Sequence, residues 1–231
     1  RVYNVVLSDV IDSPLPAIAS GPTVCPSSNT DPRAVLRRYG LARSLPAQVV
    51  TRIESVAAQP APRPTDFDHV RSVIAADNQT AQRALLAAAR TRGLPVRSPG
   101  GHLQGEARLE GSRFYQRASA GESAVVHGGE TTVILRGSGQ GGRNQEFVLG
   151  AARAFQTGLL LSLGSDGIDG ASPFAGALLD GSALARASKL GLEAEDFLQR
   201  NDSSRYFEAV GCGLRTGRTG TNVADICLYL P

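Results

Sequence analysis

Methionine and tryptophan are absent from the 231 residues, and only 5% are aromatic. Lys189 is the single lysine, so the positive charge is almost all arginine, scattered along the chain without a basic run. Few aromatics and no basic stripe argue against a nucleic-acid partner. No apolar run approaches the ~18–20 residues of a spanning helix. The longest, Gly158–Gly164, has the length of a strand, so no membrane partner is expected. Cys25, Cys212 and Cys227 are odd in number, far apart and without a C-x-x-C pair. That argues against a disulfide framework or a zinc site and fits thiols in a reducing compartment. A cytoplasmic location is expected, with a mitochondrial one left open. Lys189 is followed by Leu190, so the phosphate-binding pattern G-x-x-x-x-G-K-[ST] does not occur. His69, His102 and His127 share no motif, and no Ser-His-Asp order emerges. Arg1–Leu7 already reads as a buried strand with no cap or turn before it, and position 1 is not methionine. A natural start upstream is therefore expected.

What remains is ordinary globular material: 42% hydrophobic residues, 19% charged and a net charge of +3. The length suits one large domain or two small ones. Apolar runs predict strands over 3–7, 72–75, 123–127, 131–135, 159–163 and 224–230. Helices are predicted over 32–39, 46–57, 78–92, 144–155, 182–189, 194–199 and 203–210. Their alternation predicts an α/β fold with mostly parallel pairing. Ser98–Glu122 is polar and glycine-containing, and reads as a domain boundary that divides the chain into 1–110 and 111–231.

Four loops hold the candidate chemistry. Ser8-Asp9-Val10 ends the first strand, where open α/β sheets bind ligands, and Asp9 can take a proton from a hydroxyl or hold a metal. Nearby Ser20-Gly21-Pro22-Thr23 offers hydroxyls and a tight turn; the alternative is simple turn punctuation. Gly128-Gly129-Glu130-Thr131 lets a ligand approach the backbone, or is a plain hairpin turn. Arg136–Glu146 contains G-x-G-x-x-G at Gly137, Gly139 and Gly142 and runs into a helix, whose free N–H groups and dipole suit a phosphate. Arg136 and Arg143 flank that loop and can fork onto anionic oxygens. Gly164–Gly170 presents Asp166 and Asp169, either for Mg²⁺ or as an Asx-rich turn.

Taken in order, these loops with Asn201-Asp202-Ser203 and Thr219-Gly220-Thr221-Asn222-Val223 resemble the class II glycerate kinases, whose C-terminal part is the MOFRL domain. The resemblance covers essentially the whole chain. It implies part of a Rossmann-like domain followed by a second, mixed α/β domain of the MOFRL type. It implies ATP-dependent phosphorylation of D-glycerate, usually at the 2-hydroxyl, with Mg²⁺. The expected catalytic residues are Asp9 and Arg143, and the metal residues Asp166 and Asp169. Substrate and nucleotide contacts are expected from Ser8, Ser20, Gly21, Thr23, Gly129, Glu130, Gly137, Gly139, Gly141, Gly142, Asn144, Glu146, Thr219, Thr221 and Asn222. The family chain is about twice as long as this one, and the oligomeric state, including a homo-oligomer, is left open. Two rival readings stand beside it: an oxidoreductase of the hydroxypyruvate reductase kind, because G-x-G-x-x-G imitates a dinucleotide fingerprint, and a truncated, non-catalytic module.

Overall fold

A computed structural model describes residues 1–26 and 31–231. The chain divides into two compact units, Arg1–Val5 with Pro14–Val73, and Val6–Ser13 with Ile74–Pro231. Strands β1 (Val2–Leu7) and β2 (Val70–Ala76) pair as a two-stranded sheet. In the first unit, helix α1 (Pro32–Arg38) starts behind Asp31, whose carboxylate accepts the Arg33 N–H at 2.9 Å. Pro32 sits in the first turn, where the missing N–H has no helical partner to lose. Helix α2 (Ala47–Ala57) follows, and Asn4 ties β1 to Thr23 through a 3.0 Å side-chain bond.

The second unit is a mixed α/β layer structure. Its chain order is α3 (Asn78–Thr91), β3 (Val96–Arg97), α4 (Ala107–Ser119), β4 (Ala124–Gly129), α5 (Arg143–Gly150), β5 (Leu159–Gly164), β6 (Gly176–Asp180), α6 (Gly181–Lys189), α7 (Ala194–Gln199), α8 (Ser203–Ala209), β7 (Gly213–Leu214) and β8 (Asp225–Leu230). The six strands lie in the order β3-β4-β8-β5-β6-β7. Only β3 and β4 run parallel; the other four pairs are antiparallel. This corrects the expectation of mostly parallel pairing. The last strand inserts between β4 and β5 and runs against both, so alternation of helix and strand did not dictate direction.

Two further expectations change. Thr131–Leu135 is extended but pairs only at an isolated bridge between Thr132 and Glu106, so no strand precedes the glycine loop. Ser98–Glu122 is not a connection: it contains α4, which belongs to the second unit, and a division at 110/111 cuts that helix. Helix α3 is capped by Asp77, which accepts from Thr80 N–H at 2.7 Å. Asn78, the first residue of α3, is buried and donates to the Val223 and Asp225 carbonyls at 2.8 and 2.9 Å.

Helices α4 and α5 cross almost backbone to backbone. A Cβ on Gly111 would fall 1.7 Å from the Phe147 carbonyl oxygen, and one on Gly150 would fall 2.2 Å from that of Arg108. Around this crossing the core gathers Phe114, Tyr115, Phe147, Leu160, Tyr206 and Tyr229. Across the sheet, His127, Cys227 and Ser162 stand opposite one another on β4, β8 and β5. His127 is buried beside Phe114, and that burial, with the charges of His102 and Arg117, pushes its pKa down to about 4.

Gly111→Ala should lower the unfolding free energy by about 3 kcal/mol, because backbone cannot move aside as a flexible side chain can; a urea midpoint equal to wild type would contradict this packing. His127 also makes a signed pH prediction. From its ordinary value of 6.5 down to about 4, the unfolded chain binds a proton that the folded chain refuses. Stability therefore falls as pH drops through that window. Urea titrations at several pH values should show this slope in wild type and a flatter one in His127→Gln.

Candidate functional site

A cavity of about 1110 Å³ opens in the second unit. Most of its wall comes from Glu130–Val133, the glycine loop 137–143, the 166–171 turn and Asn201, with Ile11, Gln104, Gly105, Leu135 and Glu146 completing it. Of the expected site residues, Glu130, Gly137, Gly139, Gly141, Gly142, Arg143, Glu146, Asp166 and Asp169 line it. Ser20, Gly21 and Thr23 stand in the first unit, where Ser20 and Gly21 make a left-handed turn with φ of +63° and +59°.

The glycine loop is held mostly by protein. Asn201 Oδ1 accepts the Arg136 and Gly137 N–H groups at 2.6 and 3.0 Å. The Arg200 carbonyl accepts from Gly139 at 2.9 Å, and Asp202 Oδ1 from Gln140 at 2.9 Å. Any Cβ at Gly137 or Gly139 would strike the Arg200 backbone within 2.6 Å. Among the described residues, the Ser138, Gly141, Gly142 and Arg143 N–H groups have no intramolecular acceptor. The cavity wall thus keeps four backbone donors, fewer than the loop's composition suggests.

The N-terminus of α5 is already capped. Asp169, 2% exposed, accepts from Asn144 N–H at 2.9 Å and Gln145 N–H at 2.8 Å, and from both side-chain amides at 3.3 and 2.8 Å. Burial pushes its pKa up, against the pull of those four bonds. This corrects the metal role expected of Asp169: its oxygens are taken up in holding a helix. Asn144 is likewise buried, accepting from Ser162 Oγ at 2.5 Å, and is not among the residues that line the cavity. Glu146 is buried and bonded to Arg108 at 3.0 Å and Asn201 at 3.0 Å, so its carboxylate serves the scaffold of the wall. Among the described residues, no group of three or more His, Cys, Asp and Glu converges as a metal cluster.

Arg143 is not the open fork expected. Its Nε and Nη2 donate to Asp225 at 2.6 and 3.1 Å, and its Nη1 to Glu130 at 2.6 Å. Partial burial works against its charge, but the Asp225 bonds and the charges of Asp225, Glu130 and Asp169 hold its pKa above the ordinary arginine value. Asp225 itself is buried, which pushes its pKa up despite that partner.

At one side of the cavity lies a second polar cluster. Asp166 Oδ1 accepts the Ile168 N–H at 3.0 Å, an Asx turn, and its backbone oxygen accepts from Thr219 N–H at 3.0 Å. Thr219 Oγ1 donates to the Ser165 carbonyl at 2.6 Å. Asn222 donates to Asp9 Oδ2 at 2.8 Å and accepts from Ser165 Oγ. Asp9 is exposed, and Ile11, two residues on, reaches the cavity wall. Thr221 is exposed at the edge of this cluster; Ser8 is buried and bonded locally to Val10, so it presents nothing to a ligand. Gly129 has φ +155° and abuts the Leu103 backbone, while Gly128 abuts Asn78; the double glycine admits protein, not a ligand.

Two participants escaped the sequence reading. Asn201, at φ +53°, supports the glycine loop and touches the cavity, and its signal was the Asn201-Asp202-Ser203 stretch itself. Asp225, the partner of Arg143, carried one signal: an acid heading the apolar strand Ile226–Leu230.

The protein-family model described as the MOFRL family matches residues 123–225, and one described as a domain of unknown function, DUF4147, matches residues 1–54. The chain is 33% identical to the glycerate kinase of Homo sapiens, over 97% of this chain and 54% of that protein. It is 33% identical to the D-glycerate 2-kinase of Thermotoga maritima, over all of this chain and 56% of that one. To the glycerate kinase of Macaca fascicularis it is 34% identical, over 97% of this chain and 71% of that protein. The crystal structure of the Thermotoga maritima glycerate kinase superimposes with a TM-score of 0.88, covering 100% of this chain and 57% of that one. The chain spans about half the length of the first two relatives.

Asp169→Ala strips four donors of their acceptor at a helix N-terminus. It should lower stability by about 3 kcal/mol, a lost cap plus buried groups left unpaired. An unchanged thermal midpoint would show that α5 is held without it.

Proposed function

The chain belongs to the glycerate kinase family, and we propose that the protein carrying it phosphorylates D-glycerate, at the 2-hydroxyl, with ATP and Mg²⁺ at the 1110 Å³ cavity. One observation carries this reading. Glu130, the 137–143 loop, Asp166 and Asn201 come from distant stretches of the family-like sequence and meet around a single hollow.

Phosphoryl transfer asks mainly for positioning and charge neutralisation. ATP would supply the transferred phosphoryl group. The unpaired N–H groups of Ser138, Gly141, Gly142 and Arg143 fit phosphoryl or carboxylate oxygens. Arg143 adds a fixed positive charge; an entering anion competes with exposed Glu130 rather than with buried Asp225. Mg²⁺ fits Asp166, whose second carboxylate oxygen has no partner among the described residues, as a one-carboxylate ligand beside water and phosphate oxygens. Asp169 does not fit, being saturated. Asp9, steadied by Asn222, is assigned the hydroxyl proton.

The dinucleotide reading loses support because the glycine loop follows no strand and its helix N-terminus is capped by Asp169. No helix among the described residues is long and apolar enough to cross a membrane. Three free thiols support a reducing compartment, cytoplasmic or mitochondrial.

A coupled assay tests this. ADP should form with D-glycerate, and Asp9→Asn should lower kcat by about 100-fold or more with an unchanged thermal midpoint. Full turnover in that variant removes Asp9 from the chemistry. NAD(P)H oxidation with hydroxypyruvate and no ADP release would overturn the kinase reading in favour of a reductase; neither activity would favour a non-catalytic module.

A further inference from the structure

The segment Asp9–Ser13 follows β1 and belongs to the second unit. Ile11, at its centre, lines the cavity. Among the described residues, two side-chain hydrogen bonds tie this strap to distant parts of the chain. Asn222 Nδ2 donates to Asp9 Oδ2 at 2.8 Å, and the His102 ring bonds Asp12 Oδ1 through Nε2 at 2.8 Å. One tether holds each end, and Ile11 lies between them. The other bonds of the strap are local. Val10 N–H donates to Ser8 Oγ at 3.2 Å, and Ser13 gives its N–H and its hydroxyl to the Val10 carbonyl at 3.0 and 3.3 Å.

The strap's backbone is not relaxed. Asp12 and Ser13 hold φ of +60° and +47°, in the left-handed region that costs energy for a residue with a side chain. Such conformations persist where the surroundings over-determine them. Ser13 is buried and held within its own turn. The Asp12 side chain is 73% exposed, and His102 is its one side-chain partner among the described residues. The histidine end is fixed. Its side chain is 9% exposed, and the next residue, Leu103, donates its N–H to the Gly128 carbonyl at 2.9 Å and accepts from Glu130 N–H at 2.8 Å. A carboxylate only accepts, so Nε2 carries the hydrogen. Two flexible surface side chains gain little from pairing, because both must be ordered. Here the donor is already held, and only Asp12 has to be ordered.

We infer that the Asp12–His102 bond is a latch that holds the strap at the rim of the cavity, and that these two are positioning residues for Asp9. Asn222 alone would leave Asp9 free to pivot about one amide. That amide is itself anchored, its Oδ1 accepting from Ala224 N–H at 3.0 Å and from Ser165 Oγ at 3.4 Å. The second tether, three residues on, removes the pivot. The effect on turnover rests on the kinase reading, in which Asp9 receives the hydroxyl proton; the latch itself does not.

Two readouts on the same variants test this. Asp12→Ala, at an exposed side chain, should keep the thermal midpoint of wild type. Its Ser13 amide, which reports the strap's turn, should exchange with deuterium about fivefold faster, and kcat for ADP formation with D-glycerate should fall about fivefold, as loss of one hydrogen bond to a charged group requires. The KM for ATP should not change. Asp12→Asn keeps an acceptor oxygen for the His102 N–H and should recover most of both losses. His102→Leu should reproduce them, and joining it to Asp12→Ala should add nothing, since both remove one bond. Exchange in Asp12→Ala equal to wild type, or losses that Asp12→Asn does not recover, overturn the latch. Faster exchange with full turnover overturns the positioning of Asp9. A wild-type protein that releases no ADP counts against the kinase reading alone, and the exchange rates still decide the latch.

Discussion

The cavity depends on one carboxylate. Asp169 satisfies the first N–H groups of α5 and two side-chain amides at once, a task that a helix terminus otherwise leaves to solvent or a ligand. With that end closed, α5 can be buried along most of its length and cross α4 at backbone distance. The glycines follow from the same contact. A Cβ on Gly142 would lie 2.3 Å from the Asp169 carboxylate, and one on Gly170 would lie 2.2 Å from the Gly141 carbonyl. Loop, turn and helix form one interlocked piece, and the hollow is what they leave between them.

A glycine-rich loop ahead of a helix is commonly a ligand's cradle, because it offers bare backbone and a dipole. Here most of the glycines make room for the protein itself. Gly137 and Gly139 admit the Arg200–Asp202 backbone, Gly141 admits Ser203, and Gly128 admits Asn78. Composition reports that something approaches closely; it does not report what. The donors left over, on Ser138, Gly141, Gly142 and Arg143, alternate with occupied ones along the same few residues. Only the partner's position in space distinguishes them.

That distinction marks how far the sequence could be read. Helices with strong local signals were legible: α1 behind Asp31-Pro32, α3 between Asp77 and Gly93, and α6 behind Asp180. Central strands were legible as apolar runs, β4 and β5 among them. Helix α4 was not, since Glu106–Ser119 is rich in arginine and carries Gly111, which reads as a helix breaker until Phe147 is seen against it. Strand direction was illegible because β8 takes its place through long-range pairing with β4 and β5. At the site, the loops were found but their members were not sorted. Asp166, Asp169, Asn144 and Glu146 are all polar residues in family-like motifs, and burial alone separates the half-exposed Asp166 from the other three.

Burial also decides what the charged groups of the cavity can do. Arg143 lies between two acids of different standing, Asp225 at 5% side-chain exposure and Glu130 at 45%. Removing Arg143 from Asp225 would strand a buried charge, whereas Glu130 can turn to water at little cost. The Asp225 arm therefore fixes where the guanidinium sits, and the Glu130 arm is the one open to exchange. A similar asymmetry runs along the neighbouring wall, where Arg108 bonds buried Glu146 while exposed Arg136 reaches Glu106 from the loop. Arg143, the one arginine that lines the cavity among the described residues, is thus anchored on the protein side and adjustable on the open side: buried Asp225 fixes the guanidinium so that it needs no reorganisation, and the partner that can yield is Glu130, already in contact with solvent.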